Sequence, residues 1–117
     1  MSFRNEYEKE LLSSAARTSS GTGDTVTGLD NYHDAVLHLI ITAASGTSPT
    51  LDVVVQECIY GDESVSTNWV DAVTFTQASA AGSERKELAR FGGKLRVKYT
   101  ISAGASFTFK VVGAFKD

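Results

Sequence analysis

The sequence has few of the residues on which enzymes, metal sites and disulfide-bonded scaffolds depend. Its 117 residues include one cysteine, one proline and two histidines. A single cysteine excludes an intrachain disulfide. Because Cys58 lies in an apolar run, we expect a buried and unreactive thiol. A free thiol also favours folding in a cytoplasm, where thiols stay reduced.

Long apolar runs and an excess of basic residues are also missing. No apolar stretch approaches the roughly 18 residues that a membrane span requires, and the N-terminal residues MSFRNEYEKE contain no signal-peptide core. The formal net charge is −3, and the densest basic stretch, residues 85–98, is flanked by Glu84 and contains Glu87. This mixture is typical of solvated strand faces, so we expect neither a membrane nor a nucleic acid as direct partner.

Motifs for catalysis and cofactor binding are absent from the sequence. His33 and His38 have no cysteine or carboxylate at metal-ligand spacing, and no G-x-S-x-G segment accompanies the many serines. The acidic loop residues lack the spacing of a calcium loop, and the Gly92-Gly93 pair leads into a strand instead of a helix. We therefore predict that the protein is not an enzyme and needs no metal or cofactor.

Hydrophobic periodicity predicts an all-β fold. Apolar residues recur at every second position over 51–59, 95–101 and 107–115, the pattern of half-buried strands, and residues 35–41 are apolar on both faces along part of the run. Glycine, serine and the only proline fall between these runs, where turns are expected. The length corresponds to one domain. The sequence thus predicts an antiparallel β-sandwich, jelly-roll-like, with about seven or eight strands.

The first twelve residues depart from this pattern. They are charged, and too short to form a stable helix alone. We therefore expect residues 1–12 to form an extended or weakly helical arm and residues 13–117 to form the sandwich domain.

Aromatic residues at strand margins leave a second function open. Tyr32 precedes a predicted strand, Tyr60 ends one and Trp69 begins one, and sugar-binding sandwiches use such side chains as stacking surfaces. A carbohydrate-binding module that acts in host adhesion is therefore the alternative hypothesis.

Most of the chain, about residues 13–116, resembles small structural proteins from the head modules of tailed bacteriophages and from prophages. The resemblance lies in TAASGTSPTLDVVVQE, a Gly-Asp loop and NWVDAVTFTQASAAGSE, and it continues in GGKLRVKYTI and SFTFKVV. It implies a virion structural protein made in the host bacterial cytoplasm, such as a capsid decoration (cement) protein of the head. The partners it implies are the major capsid protein or other virion proteins, and further copies of this chain in a homo-oligomer.

A decoration protein binds through many weak contacts across neighbouring subunits. Candidate partner-binding residues are Phe3, Arg4 and Tyr7 in the arm, which would become ordered on binding. His38 and Ile40 are further candidates because their strand is apolar on both faces, and only one face of a sandwich strand meets its own core.

Overall fold

In the computed structural model, which describes residues 6–29, 32–89, 91 and 93–116, eight strands form two four-stranded sheets. The prediction of an all-β antiparallel sandwich with seven or eight strands is confirmed. The strands are β1 (Glu6–Arg17), β2 (Gly21–Thr22), β3 (Asp34–Ser45), β4 (Leu51–Cys58), β5 (Trp69–Thr74), β6 (Gly82–Ala89), β7 (Leu95–Ile101) and β8 (Ser106–Lys116), with one 3-10 turn at Ser66–Asn68. No helix among the described residues is long and apolar enough to span a lipid bilayer.

Sheet 1 has the strand order β1-β8-β3-β6, and sheet 2 has the order β2-β7-β4-β5. All the strand pairs are antiparallel. Burial alternates strictly along β8 and along most of β3, because successive side chains of a strand point to opposite faces of its sheet. Each sheet therefore has one face in the core and one face outside.

The core between the sheets is built from aliphatic and phenylalanine side chains. The largest fully buried ones are Phe107, Phe109, Phe115, Leu29, Leu37, Leu51, Leu95, Val53, Val55, Val97 and Val111. Most of them come from the alternating runs from which the strands were predicted.

From residue 6 onward the expected arm is part of the sandwich, because one strand continues across the predicted boundary at residue 12. β1 begins at Glu6, runs through residue 12 to Arg17 and pairs with β8 along most of its length. The pairing of β1 with β8 shifts register between Glu10 and Leu12 and again between Leu12 and Ala15. Leu11 and Leu12 are consecutive and both buried, as bulges allow. These irregularities remove the alternation that would have identified the strand.

Candidate functional site

Three connecting segments and both ends of the described chain, Glu6 and Lys116, lie at a single end of the molecule. Sheet 1 ends there with the pairs Glu6–Lys116 and Asp34–Lys116, and sheet 2 ends there with Cys58 paired to Trp69. The loop of residues 23–33 joins the two sheets at this end, since it starts beside β7 and finishes where the His33 backbone N–H donates to the Lys116 carbonyl, 2.9 Å away. Loop 59–68 and residues 91, 93 and 94 lie at the same end, which we call the aromatic end.

The large hydrophobic side chains that the described residues expose are concentrated at or beside the aromatic end. They are Tyr7, Ile59, Tyr60, Val65 and Val70. Tyr60 is the most open, with 86% of its surface exposed. Single exposed apolar residues are common on protein surfaces, but contiguous groups mark interaction sites. Four of the five, all but Tyr7, lie in loop 59–68 or at the start of β5, and this concentration identifies the aromatic end as the candidate site.

Four aromatic rings pack against one another where sheet 1 reaches the aromatic end. The rings of Tyr7 and Tyr32 are nearly parallel, with centroids 5.8 Å apart, and both rings lie within 6.3 Å of Phe115. Phe91 meets Phe115 edge-on at 5.6 Å. Offset stacked and edge-on rings at these distances attract each other beyond their burial. The beginning of β1 is therefore fixed to the sandwich by Tyr7.

The β4–β5 loop, residues 59–68, is held in shape by its own hydrogen bonds. The Asp62 carboxylate accepts bonds from the Ser64 N–H at 2.9 Å and the Ser64 hydroxyl at 2.8 Å. These two bonds hold the pKa of Asp62 below its usual value. The Asn68 side-chain amide donates to the Asp62 carbonyl at 2.9 Å, and Gly61 has a φ of +93° that favours glycine. The loop therefore presents Ile59, Tyr60 and Val65 on an ordered backbone.

Trp69 is at the aromatic end but is not available for stacking on a ligand. It is only 6% exposed, and its indole N–H donates to the Glu63 carbonyl at 2.9 Å. The Arg96 guanidinium lies 4.3 Å from the ring centroid. Arg96 also donates to Gln56 at 2.9 Å, and Gln56 donates to Asp71 at 3.0 Å. Trp69 is thus covered on the outer face of sheet 2, which corrects its expected role as a stacking surface.

Cys58 lies next to Trp69 and is buried, as the sequence predicted. Its sulfur is 3.6 Å from the Tyr60 carbonyl and 3.9 Å from the Gly61 carbonyl, so the thiol packs beneath the loop.

His38 and Ile40 lie away from the aromatic end, on the outer face of sheet 1. Both are half-buried and alternate with buried Leu37, Leu39 and Ile41 along β3. A shallow depression of about 450 Å³ runs across this face beside His38. Two of the predicted partner-binding residues therefore belong to a second surface.

The remaining predicted site residues differ in their exposure. Tyr60 is exposed, whereas Tyr32 is half-buried against Tyr7. Phe3 and Arg4 lie outside the described residues. Sequence reasoning missed Ile59, Val65 and Val70, although apolar residues beside the polar Gly61-Asp62-Glu63-Ser64 turn were a usable signal.

Titratable side chains form no metal-binding group in the part of the chain that the structure describes: nowhere do three or more His, Cys, Asp or Glu residues come together. What the aromatic end offers is apolar surface from Ile59, Tyr60, Val65 and Val70.

No protein-family model matches the chain, and no curated protein sequence matches it significantly. Solved structures share its fold. The SPBc2 prophage-derived protein YomS is 13% identical with a TM-score of 0.55, and the match covers 100% of this chain and 97% of YomS. The PBSX exported protein XepA is 12% identical with a TM-score of 0.60, over 93% of this chain and 36% of XepA.

A third structure with the same fold is the Clostridium thermocellum xylanase 10B, solved as CBM22-1 and GH10 modules in complex with xylohexaose. It is 10% identical with a TM-score of 0.53, over 97% of this chain and 24% of the xylanase chain. At these identities the likenesses establish the fold and nothing more.

Proposed function

We propose that the protein is a non-enzymatic structural protein of a bacteriophage virion, which binds another virion protein through its aromatic end. The observation that carries the proposal is the concentration of exposed large hydrophobic side chains at that end, with Tyr60 86% exposed. Aromatic residues are enriched among the side chains that dominate protein interfaces.

The ordered β4–β5 loop makes such a contact energetically plausible. Binding costs free energy for every loop that must become ordered. Here Asp62, Ser64 and Asn68 already fix the backbone by hydrogen bonds. Burying Ile59 and Tyr60 then requires only side-chain ordering, so more of the apolar contact contributes to affinity.

One further observation supports a virion role: the fold is shared over the full chain with a prophage-derived protein. On this basis the most specific form of the proposal is a capsid decoration protein of the head, made in the host cytoplasm, which stabilises the shell of the major capsid protein.

The test is co-sedimentation with shells assembled from the major capsid protein of the virion that contains this chain. We expect Ile59→Ala and Tyr60→Ala each to weaken binding about tenfold or more, as hot-spot residues do. Lys98→Ala is the matched control, because Lys98 is exposed on the outer face of sheet 2, away from the loop. Failure of the wild-type protein to bind any virion component, or unchanged binding by Tyr60→Ala, would contradict the proposal.

A carbohydrate-binding module is the second candidate, and the exposure of Tyr60 is the observation that favours it. A sugar platform normally needs more than one ring, and here Tyr32 is stacked on Tyr7 while Trp69 is covered by Arg96. Binding to immobilised glycans that is lost in Tyr60→Ala, with no capsid binding, would establish this second function in place of the first.

A further inference from the structure

The outer face of sheet 1 has an apolar centre and a charged rim. The centre is formed by half-buried side chains of its two middle strands, β8 and β3, and the rim by charged side chains of β1, β6 and the strand ends. The central residues are Val36, His38, Ile40, Val112 and Ala114, and Lys110 borders them beside Ile40. This face is the second of the two surfaces to which the candidate residues belong.

The register places the outward side chains in rows that cross all four strands. One row contains Glu10, Val112, His38 and Arg85, in the order β1, β8, β3, β6. The row beside it, nearer the aromatic end, contains Glu8, Ala114, Val36 and Glu87. The next row has Lys116 on β8 opposite Asp34 on β3.

When a second copy faces this sheet across a suitable two-fold axis, most charged side chains of each row lie opposite side chains of the other sign. A two-fold axis that runs parallel to the strands, between β8 and β3, exchanges β8 with β3 and β1 with β6 of a facing copy. Two-fold interfaces of this kind use the same patch on both subunits. The operation places Glu10 over Arg85 and Lys116 over Asp34, each twice, and Val112 over His38.

We propose that a second copy of this chain covers the outer face of sheet 1, as a two-fold dimer whose axis runs along β8 and β3. The apolar centre then packs sheet against sheet, as facing sheets do in a sandwich. The opposite charges on the rim fix the relative position of the two copies, because electrostatic complementarity mainly determines register and specificity.

Two kinds of contact oppose the dimer, and each occurs twice. The same operation brings Glu8 over Glu87 of the second copy, which is a contact between like charges, and it brings the Lys110 side chain over the apolar Ile40. The Arg85 Nη2 atom lies 3.3 Å from the Glu87 Oε1 atom on the same strand, so the Arg85 guanidinium partly neutralises the Glu87 carboxylate. With four favourable charge contacts against two unfavourable ones, we expect a reversible dimer that forms at micromolar or higher concentration.

Charge reversal tests the geometry directly, because Glu10 and Arg85 cannot meet within one chain. They lie on opposite edge strands of sheet 1, about 14 Å apart at the usual strand spacing. We expect Glu10→Arg and Arg85→Glu each to weaken dimerisation about tenfold, since each repeats the repulsion at two symmetric contacts. The double variant restores the contact with its charges exchanged and should dimerise more tightly than either single variant, while staying weaker than the wild type because Arg85 no longer neutralises Glu87.

Dissociation constants are measured by sedimentation equilibrium from micromolar to near-millimolar protein. Val112→Lys should give a monomer throughout, since it places two like charges in the apolar centre, while its circular dichroism spectrum stays unchanged. Lys98→Glu, a charge reversal on sheet 2, should leave the dimer intact.

Three outcomes would overturn the proposal. The first is a wild-type protein that stays monomeric at near-millimolar concentration. The second is a double charge reversal that dimerises no better than expected from the two single variants. The third is a Val112→Lys variant that dimerises as tightly as the wild type, because then the apolar centre is not part of the interface.

Discussion

Replacing Tyr7 by alanine tests whether the first residues belong to the sandwich. Tyr7 is 38% exposed, and its ring stacks on Tyr32 and contacts Phe115. A tyrosine side chain presents on the order of 200 Å², so with Tyr7 38% exposed about 120 Å² is covered here. At about 25 cal/mol per Å² this is worth about 3 kcal/mol as an upper limit. Because alanine keeps part of that burial, we expect a loss of about 1.5–3 kcal/mol.

The loss should lower the melting temperature by about 5–12 °C in a domain of this size. The matched control is Tyr60→Ala, which removes the same side chain where it is 86% exposed, and we expect its free energy of unfolding to change by less than about 0.5 kcal/mol. Urea denaturation followed by circular dichroism measures both variants. Equal stability of the two variants would refute the reasoning and would favour the original hypothesis that the first residues form a separate arm.

Two further predictions concern polar contacts. Arg96→Ala uncovers Trp69 and removes the donor to Gln56, so we expect a red shift of the fluorescence of this single tryptophan and a loss of about 2 kcal/mol in urea denaturation. Desolvation raises the pKa of Glu84, but bonds from the Thr76 hydroxyl and N–H outweigh it and hold this pKa below 4.5. The carboxylate therefore stabilises the fold above about pH 4.5. At neutral pH the wild type should melt at a higher temperature than Glu84→Gln. The difference between the two melting temperatures should shrink as pH falls below 4.5.

The strands could be predicted wherever one face is buried and the register is regular. β7 and β8 alternate as the sequence does, and both were identified. β1 was missed because its irregular pairing with β8 places Leu11 and Leu12 side by side in the interior. Its partner strand is also about a hundred residues away in sequence, so nothing local indicates the pairing.

The candidate site could be predicted only in part, because exposure depends on contacts between distant segments. Tyr60 and Trp69 look alike in sequence, as aromatic residues at strand margins. Trp69 is buried because Arg96 on β7 lies over its ring, whereas Tyr60 follows β4 in a loop whose hydrogen bonds turn it outward. No sequence pattern around either residue specifies that difference.

Dimerisation through the outer face of sheet 1 determines how the aromatic ends of the two copies are oriented. A two-fold axis parallel to the strands leaves the strand direction unchanged, so both aromatic ends of the dimer face the same way. A repeating surface such as a capsid shell would then meet two Tyr60 loops at once, and the second contact would form at a high effective concentration. Each contact could therefore be weak while the dimer stays bound. For this reason Val112→Lys, which leaves the aromatic end untouched, should weaken binding to shells more than binding to a single soluble capsid subunit.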